Sequence, residues 1–105
     1  MSEFADYSSV DPTLEDWATA KGLAWDREYK GYDVRSISWP MAGTESVQIW
    51  IDPPNDSSVI VNVAYNSVAN DRRRVTKATY KLTDVAKGLD DALATAMKWR
   101  SEALA

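Results

Sequence analysis

Apolar and polar residues alternate along this chain with two different periods, and the change of period organises it. Val47, Ile49 and Ile51 alternate with Gln48 and Trp50 between Ser46 and Asp52. Between Ser58 and Tyr65, Val59, Val61, Val63 and Tyr65 fall on one parity and Ile60, Asn62 and Ala64 on the other. From Arg74 to Leu82, Ala78, Tyr80 and Leu82 oppose Lys77, Thr79 and Lys81. A period of two marks strands with one buried face. Tyr32 to Trp39 carries Val34, Ile37 and Trp39 on mixed parity, which predicts a strand with a bulge near Ser36, ended by Pro40. Beyond Thr83 the period lengthens. Val85, Leu89, Ala92, Leu93, Ala96 and Trp99 recur at steps of three and four, predicting one long amphipathic helix over 83–104 with Thr83 as its cap.

A shorter helix is expected over 12–21. Asp11 offers an N-cap oxygen, Pro12 suits the first turn, and Leu14, Trp17, Ala18 and Lys21 share a face. Gly22 followed by Leu23 reads as a left-handed C-terminal cap. Residues 24–29 admit two readings. Trp25 and Tyr29 extend the helical face, or Trp25, Arg27 and Tyr29 form a short edge strand turned at Lys30-Gly31, which the glycine at 22 favours. Asp52-Pro53-Pro54-Asn55-Asp56 is turn chemistry, 66–71 a polar loop, and residues 1–10 a loose lead-in to a single domain over 11–105.

Short connections favour neighbouring strands pairing antiparallel. The expected fold is therefore α+β, a two-layer sandwich in which an antiparallel meander of 4–5 strands is covered on one face by an N-terminal and a long C-terminal helix. Its core would comprise Val47, Ile49, Ile51, Val59, Val61, Val63, Ala78, Tyr80 and Leu82, with Val85, Leu89, Leu93 and Ala96. Gly88, Ala92 and Ala96 form a small-residue ridge, which serves close approach by the first helix or by a strand; of the two, the first helix is placed on that side, with the sheet beneath. Arg100 falls inside the apolar arc, where it must reach water, find a carboxylate or face a partner.

Composition narrows the chemistry. The 105 residues include no cysteine and no histidine, which removes disulfides, thiolate sites, the commonest general base and the usual metal ligand. The formal charge of −4 disfavours a long polyanion as partner of the whole molecule. The opening Met-Ser-Glu-Phe-Ala-Asp lacks the pattern of a signal peptide, and no apolar run approaches the roughly 20 residues of a membrane span. These features lead us to expect a cytoplasmic chain without membrane, cofactor or metal.

Two surfaces attract attention. Gln48, Trp50 and Asn62 fall on the outward parity of the strands, where a tryptophan among amides and lysines has the composition of a contact surface; alternatively Trp50 packs beneath loops. Arg72, Arg73 and Arg74, with Lys77 and Lys81, form the basic cluster. Cations interleaved with tyrosines can hold single-stranded nucleic acid, but adjacent Asp71 and the acidic total favour guarding of a strand edge instead. Asp52, Asn55 and Asp56 lack the spacing of a calcium loop, and Asp26, Glu28 and Asp33 read as a solvated edge beside Arg27 and Arg35. No phosphate loop, nucleophile elbow or metal-ligand cluster is present.

The sequence thus points to a non-catalytic protein or peptide interaction module, adaptor-like or chaperone-like, with a homodimer as one form. The alternative is a small-ligand binder with an aromatic pocket between sheet and helices, lined by Trp17, Trp39 and Trp99. In outline the chain resembles small acidic secretion chaperones and related adaptor domains. No residue motif carries that resemblance, its uninterrupted strands depart from that group's order, and no site residue is transferred.

Overall fold

The computed structural model describes residues 7–41, 45–67 and 72–104. Helix α1 (Asp11–Lys21) is followed by strands β1 (Asp26–Tyr29), β2 (Tyr32–Pro40), β3 (Ser46–Ile51), β4 (Ser58–Ser67) and β5 (Arg72–Lys81). A 3-10 turn (Leu82–Asp84) then leads into helix α2 (Val85–Leu104). The strands form one antiparallel sheet in the order β1-β2-β3-β4-β5, so every hydrogen-bonded neighbour is also a chain neighbour. This is the expected α+β meander. No helix among the described residues is long and apolar enough to cross a membrane.

Parity determines the two faces of the sheet. The register aligns Ile37 with Ile49 and Val63, and Trp39 with Val47 and Tyr65. These residues, with Ile51, Val59 and Val61, face the helices and meet Leu14, Trp17, Val85, Leu89, Ala96 and Trp99 in one core. Ile49, Val47, Val59, Val85 and Leu89 have no measurable exposure, so the burial of apolar side chains from both layers holds the sandwich together. The central strands of the expected core are all present. Ala78 is the exception: it is exposed, and Tyr80, Leu82 and Leu93 are only partly buried. The reason is lateral. Helix α2 lies over β3 and β4 and reaches β5 through fewer residues, so the helix-facing side of β5 is partly uncovered.

Local chemistry explains most boundaries. Residues 24–29 contain a strand, since β1 pairs with β2 through a turn in which Lys30 and Gly31 take φ values of 52° and 84°. Two consecutive left-handed residues match the twist of a tight hairpin. Between the pairs Glu28–Asp33 and Asp26–Ser36 the register slips by one, placing the irregularity beside Ser36 as the mixed parity implied. Gly22 closes α1 at φ 71°, with the Leu23 amide donating to the Ala18 carbonyl at 2.8 Å.

Both proposed N-caps require correction. Val10 occupies the cap of α1, and Asp11 is the first helical residue, its carboxylate drawn away to Arg35. Thr83 lies inside the 3-10 turn, because the chain tightens for one turn before α2 begins. The lead-in is anchored at its end: Tyr7 and Val10 are buried, and the Tyr7 hydroxyl donates to the Ile51 carbonyl at 3.1 Å. The loop expected over 66–71 falls largely outside the described residues, while Asn66 and Ser67 belong to β4.

The ridge on α2 meets a strand, and the placing of the first helix beside it is reversed. Tyr80 of β5 packs on Gly88, while α1 meets the opposite flank of α2 through Asp90. The Trp17 indole N–H donates to Asp90 Oδ1 at 2.9 Å, and Lys21 Nζ stands 3.2 Å from the same oxygen. Small residues sit where an aromatic ring must come close. Arg100 is half-buried, and its buried Nε finds no hydrogen-bond partner among the described residues.

Candidate functional site

Both helices lie on one side of the sheet, leaving its other face to side chains alone among the described residues. The register sets these side chains in transverse rows. Ser36, Trp50, Asn62 and Lys77 form one row across β2 to β5; Ser38, Gln48, Ala64 and Val75 form the next. Asn66 with Arg73, and Ser58 with Lys81, continue the pattern at the two ends of β5. The predicted outward parity is therefore the observed one.

Trp50 is half-buried at the middle of this face. Beside it Asn62 is 4% exposed and donates from Nδ2 to the Trp50 carbonyl at 3.3 Å. A buried amide satisfied by its cross-strand neighbour is a fixed polar point beside an aromatic plane. Gln48 flanks Trp50 on the same face and is also half-buried.

On the β1–β3 half of the face is a concavity of about 640 Å³. Asp26, Glu28, Ser36, Gln48, Trp50 and Asp52 line it, with Tyr7 and Arg35 at its margin. The three carboxylates come from β1 and from the residue after β3, and only pairing brings them together around Trp50. Reading the sequence assigned Asp26 and Glu28 to a solvated edge and Asp52 to a turn. The signal that would have joined them is the strand register, which period alone does not supply. Among the described residues no group of three or more metal-ligating side chains is arranged to hold an ion.

The margin is tied together by ion pairs. Arg35, 5% exposed, is held by Asp11 through Nε–Oδ1 at 2.7 Å and Nη2–Oδ2 at 2.9 Å, and also binds Asp33. Its guanidinium lies 4.4 Å from the centre of the Tyr7 ring. The hydrogen bonds that Arg35 donates to Asp11 hold the guanidinium charged well above the ordinary arginine range, against the opposing effect of burial. Burial pushes the Tyr7 phenol up, despite the nearby arginine. Arg35, expected beside a solvated edge, is a buried tie between β2 and the start of α1. Arg27 is the surface member of the group, paired with Glu15.

The basic cluster divides between two faces. Arg74 turns toward the helices, bonding Glu102 at 2.7 Å and lying 4.6 Å from the Trp99 ring centre. Arg73, Lys77 and Lys81 remain exposed on the outer side, spaced by four residues along β5. The Arg72 side chain lies outside the described residues, though its backbone pairs with Ser67. The outer face is therefore bipolar, acidic around the Trp50 concavity and basic along β5.

Trp17, Trp39 and Trp99, assigned to a pocket between the layers, contribute to the core instead. Trp17 packs against Trp25 at a centroid distance of 5.9 Å, Trp99 is 9% exposed beneath Arg74, and Trp39 is partly buried against the core. Comparison of the chain with protein-family models, with curated proteins and with solved structures gives no match.

Proposed function

We propose that this protein is a non-catalytic module that binds a protein or peptide segment on the outer face of its sheet. The observation that supports this most is a sheet face left without helical cover, centred on half-buried Trp50 and buried Asn62. A tryptophan fixed at the centre of a polar, oppositely charged surface can anchor a partner at little ordering cost. Cytoplasmic action as an adaptor fits the acidic, cysteine-free composition.

The test is selection of binding peptides from a random displayed library, followed by titration against wild type and Trp50→Ala. Selected peptides should lose about tenfold or more in affinity for a Trp50→Ala protein whose circular dichroism is unchanged. A library that returns no binders, or binders indifferent to Trp50, would sink the proposal.

A second reading has one specific support. The concavity beside Trp50 falls within the roughly 300–1,000 Å³ of small-ligand sites. Its carboxylates would suit a cationic organic molecule. Saturable binding of an arylalkylamine that quenches Trp50 fluorescence, with no peptide selected, would favour this reading over the first.

A further inference from the structure

We infer that the free edge of β5 takes an acidic, extended peptide as a sixth strand, seated between that edge and helix α2. The inference rests on the proposed peptide-binding role and gives it a mode and a partner chemistry.

β5 is ten residues long and ends the sheet, so its far edge is hydrogen-bonded to no strand among the described residues. An unpaired edge of that length is a template for main-chain addition. Its outer side carries Arg73, Val75, Lys77, Thr79 and Lys81 in alternation. The residues opposite the three cations on β4 are Asn66, Asn62 and Ser58, all neutral. None of these cations joins an ion pair among the described residues, whereas Arg74 on the other side is paired with Glu102. Val75, 47% exposed, lies between two of them. An added strand bearing carboxylates on alternate residues would set them opposite these cations while keeping its backbone in register.

The helix side supplies the second half of the seat. Between β5 and α2 runs a notch of about 130 Å³ whose lining includes Thr76, Ala78, Gly88, Ala92 and Thr95, with Asp91 on its helix side, so it suits the apolar rather than the acidic residues of the peptide. It has room for one aliphatic side chain. This is where the expected core residue Ala78 is exposed, because α2 stops short of the edge. An extended peptide points alternate side chains to opposite faces, so acidic residues outward and apolar residues inward satisfy both surfaces at once.

The probe is a ten-residue peptide alternating glutamate and valine, with three controls: one with lysine for glutamate, one with proline at two central positions, and one N-methylated along a single edge. Titration and amide hydrogen exchange of the full chain are the readouts. The expected result is saturable binding of the acidic peptide, new protection of amides in 73–81, and losses of about tenfold or more for each control. The double variant Arg73→Glu/Lys77→Glu should reverse the preference toward the lysine peptide. Three results overturn the inference: equal binding of the N-methylated peptide, protection confined to β1–β3, or self-association that protects β5 without peptide. If the acidic peptide fails while library peptides still depend on Trp50, the β5 seat is lost and the proposed module stands. If the acidic peptide pairs with β5 but no library peptide depends on Trp50, the module's placement on Trp50 is lost instead.

Discussion

The ring of Tyr80 occupies the space into which a side chain at Gly88 would grow. A Cβ built on Gly88 would come within 2.6 Å of two ring carbons of Tyr80 and 2.8 Å of a third. Two opposing effects meet here. Alanine would favour the helix by about 1 kcal/mol, but forcing a methyl group against a packed ring costs roughly 1–3 kcal/mol. The clash should win. Gly88→Ala is expected to lower stability by about 1 kcal/mol in urea denaturation, whereas in a Tyr80→Ala background the same change should stabilise. The same sign in both backgrounds would show that the ring does not set the cost.

Asp11 and Arg35 are expected to behave as a buried pair. Asp11→Ala leaves a guanidinium that is 5% exposed with only Asp33, the Val34 carbonyl and the Tyr7 ring as partners among the described residues, and should cost about 3 kcal/mol. Adding Arg35→Met removes the orphaned charge and should recover part of that loss. A double variant as unstable as the sum of the two singles would show that the groups act independently.

Ile49 and Trp50 are adjacent in sequence but lie on opposite faces of β3. Ile49→Ala should cost about 2–5 kcal/mol, as expected for a fully buried aliphatic side chain. Trp50→Ala should cost no more than about 2 kcal/mol and leave the near-native dichroism intact. Chemical denaturation of both variants measures the contrast; comparable losses would place Trp50 in the core.

Asp90 carries a pH dependence whose sign follows from its partners. The indole N–H of Trp17, then Lys21, holds its carboxyl below the usual aspartate range. A carboxylate depressed in the folded state adds stability above the unfolded value, roughly pH 3.9, and loses it as pH falls through the folded value. The side chain is more than half exposed, so the contribution is small. An NMR titration of Asp90 should move upward in Trp17→Phe, which keeps the ring and removes the donor. An unchanged titration would assign the shift to Lys21 alone.

Period two along Val47–Ile51 and Val59–Val63 announced the strands, because one dry face forces alternation. Lys30-Gly31 announced the hairpin through its glycine, which takes a left-handed conformation without steric cost. The outer face was legible for the same reason: Gln48, Trp50, Asn62, Lys77 and Lys81 each alternate with the helix-facing positions of their own strand. Lateral position was not legible. Ala78 has the parity of the core and is exposed, since alternation tells which way a residue points but not whether a helix lies above it. Nor could Asp11 be matched with Arg35, 24 residues away, or Asp26 with Asp52 around Trp50, because those meetings depend on register.

The bond between Trp17 and Asp90 joins residues 73 positions apart and ties the first helix to the last. That connection sets an order of assembly. Trp17 meets Trp25 close by in the chain, but the contact of α1 with α2 can form only after all five strands and α2 have been made. Long-range closure of this kind slows folding and lengthens the interval in which an unfinished chain shows apolar surface. The strands of the meander pair with chain neighbours, whereas the helix-facing side of β3 and β4 is covered only when the C-terminal helix is in place.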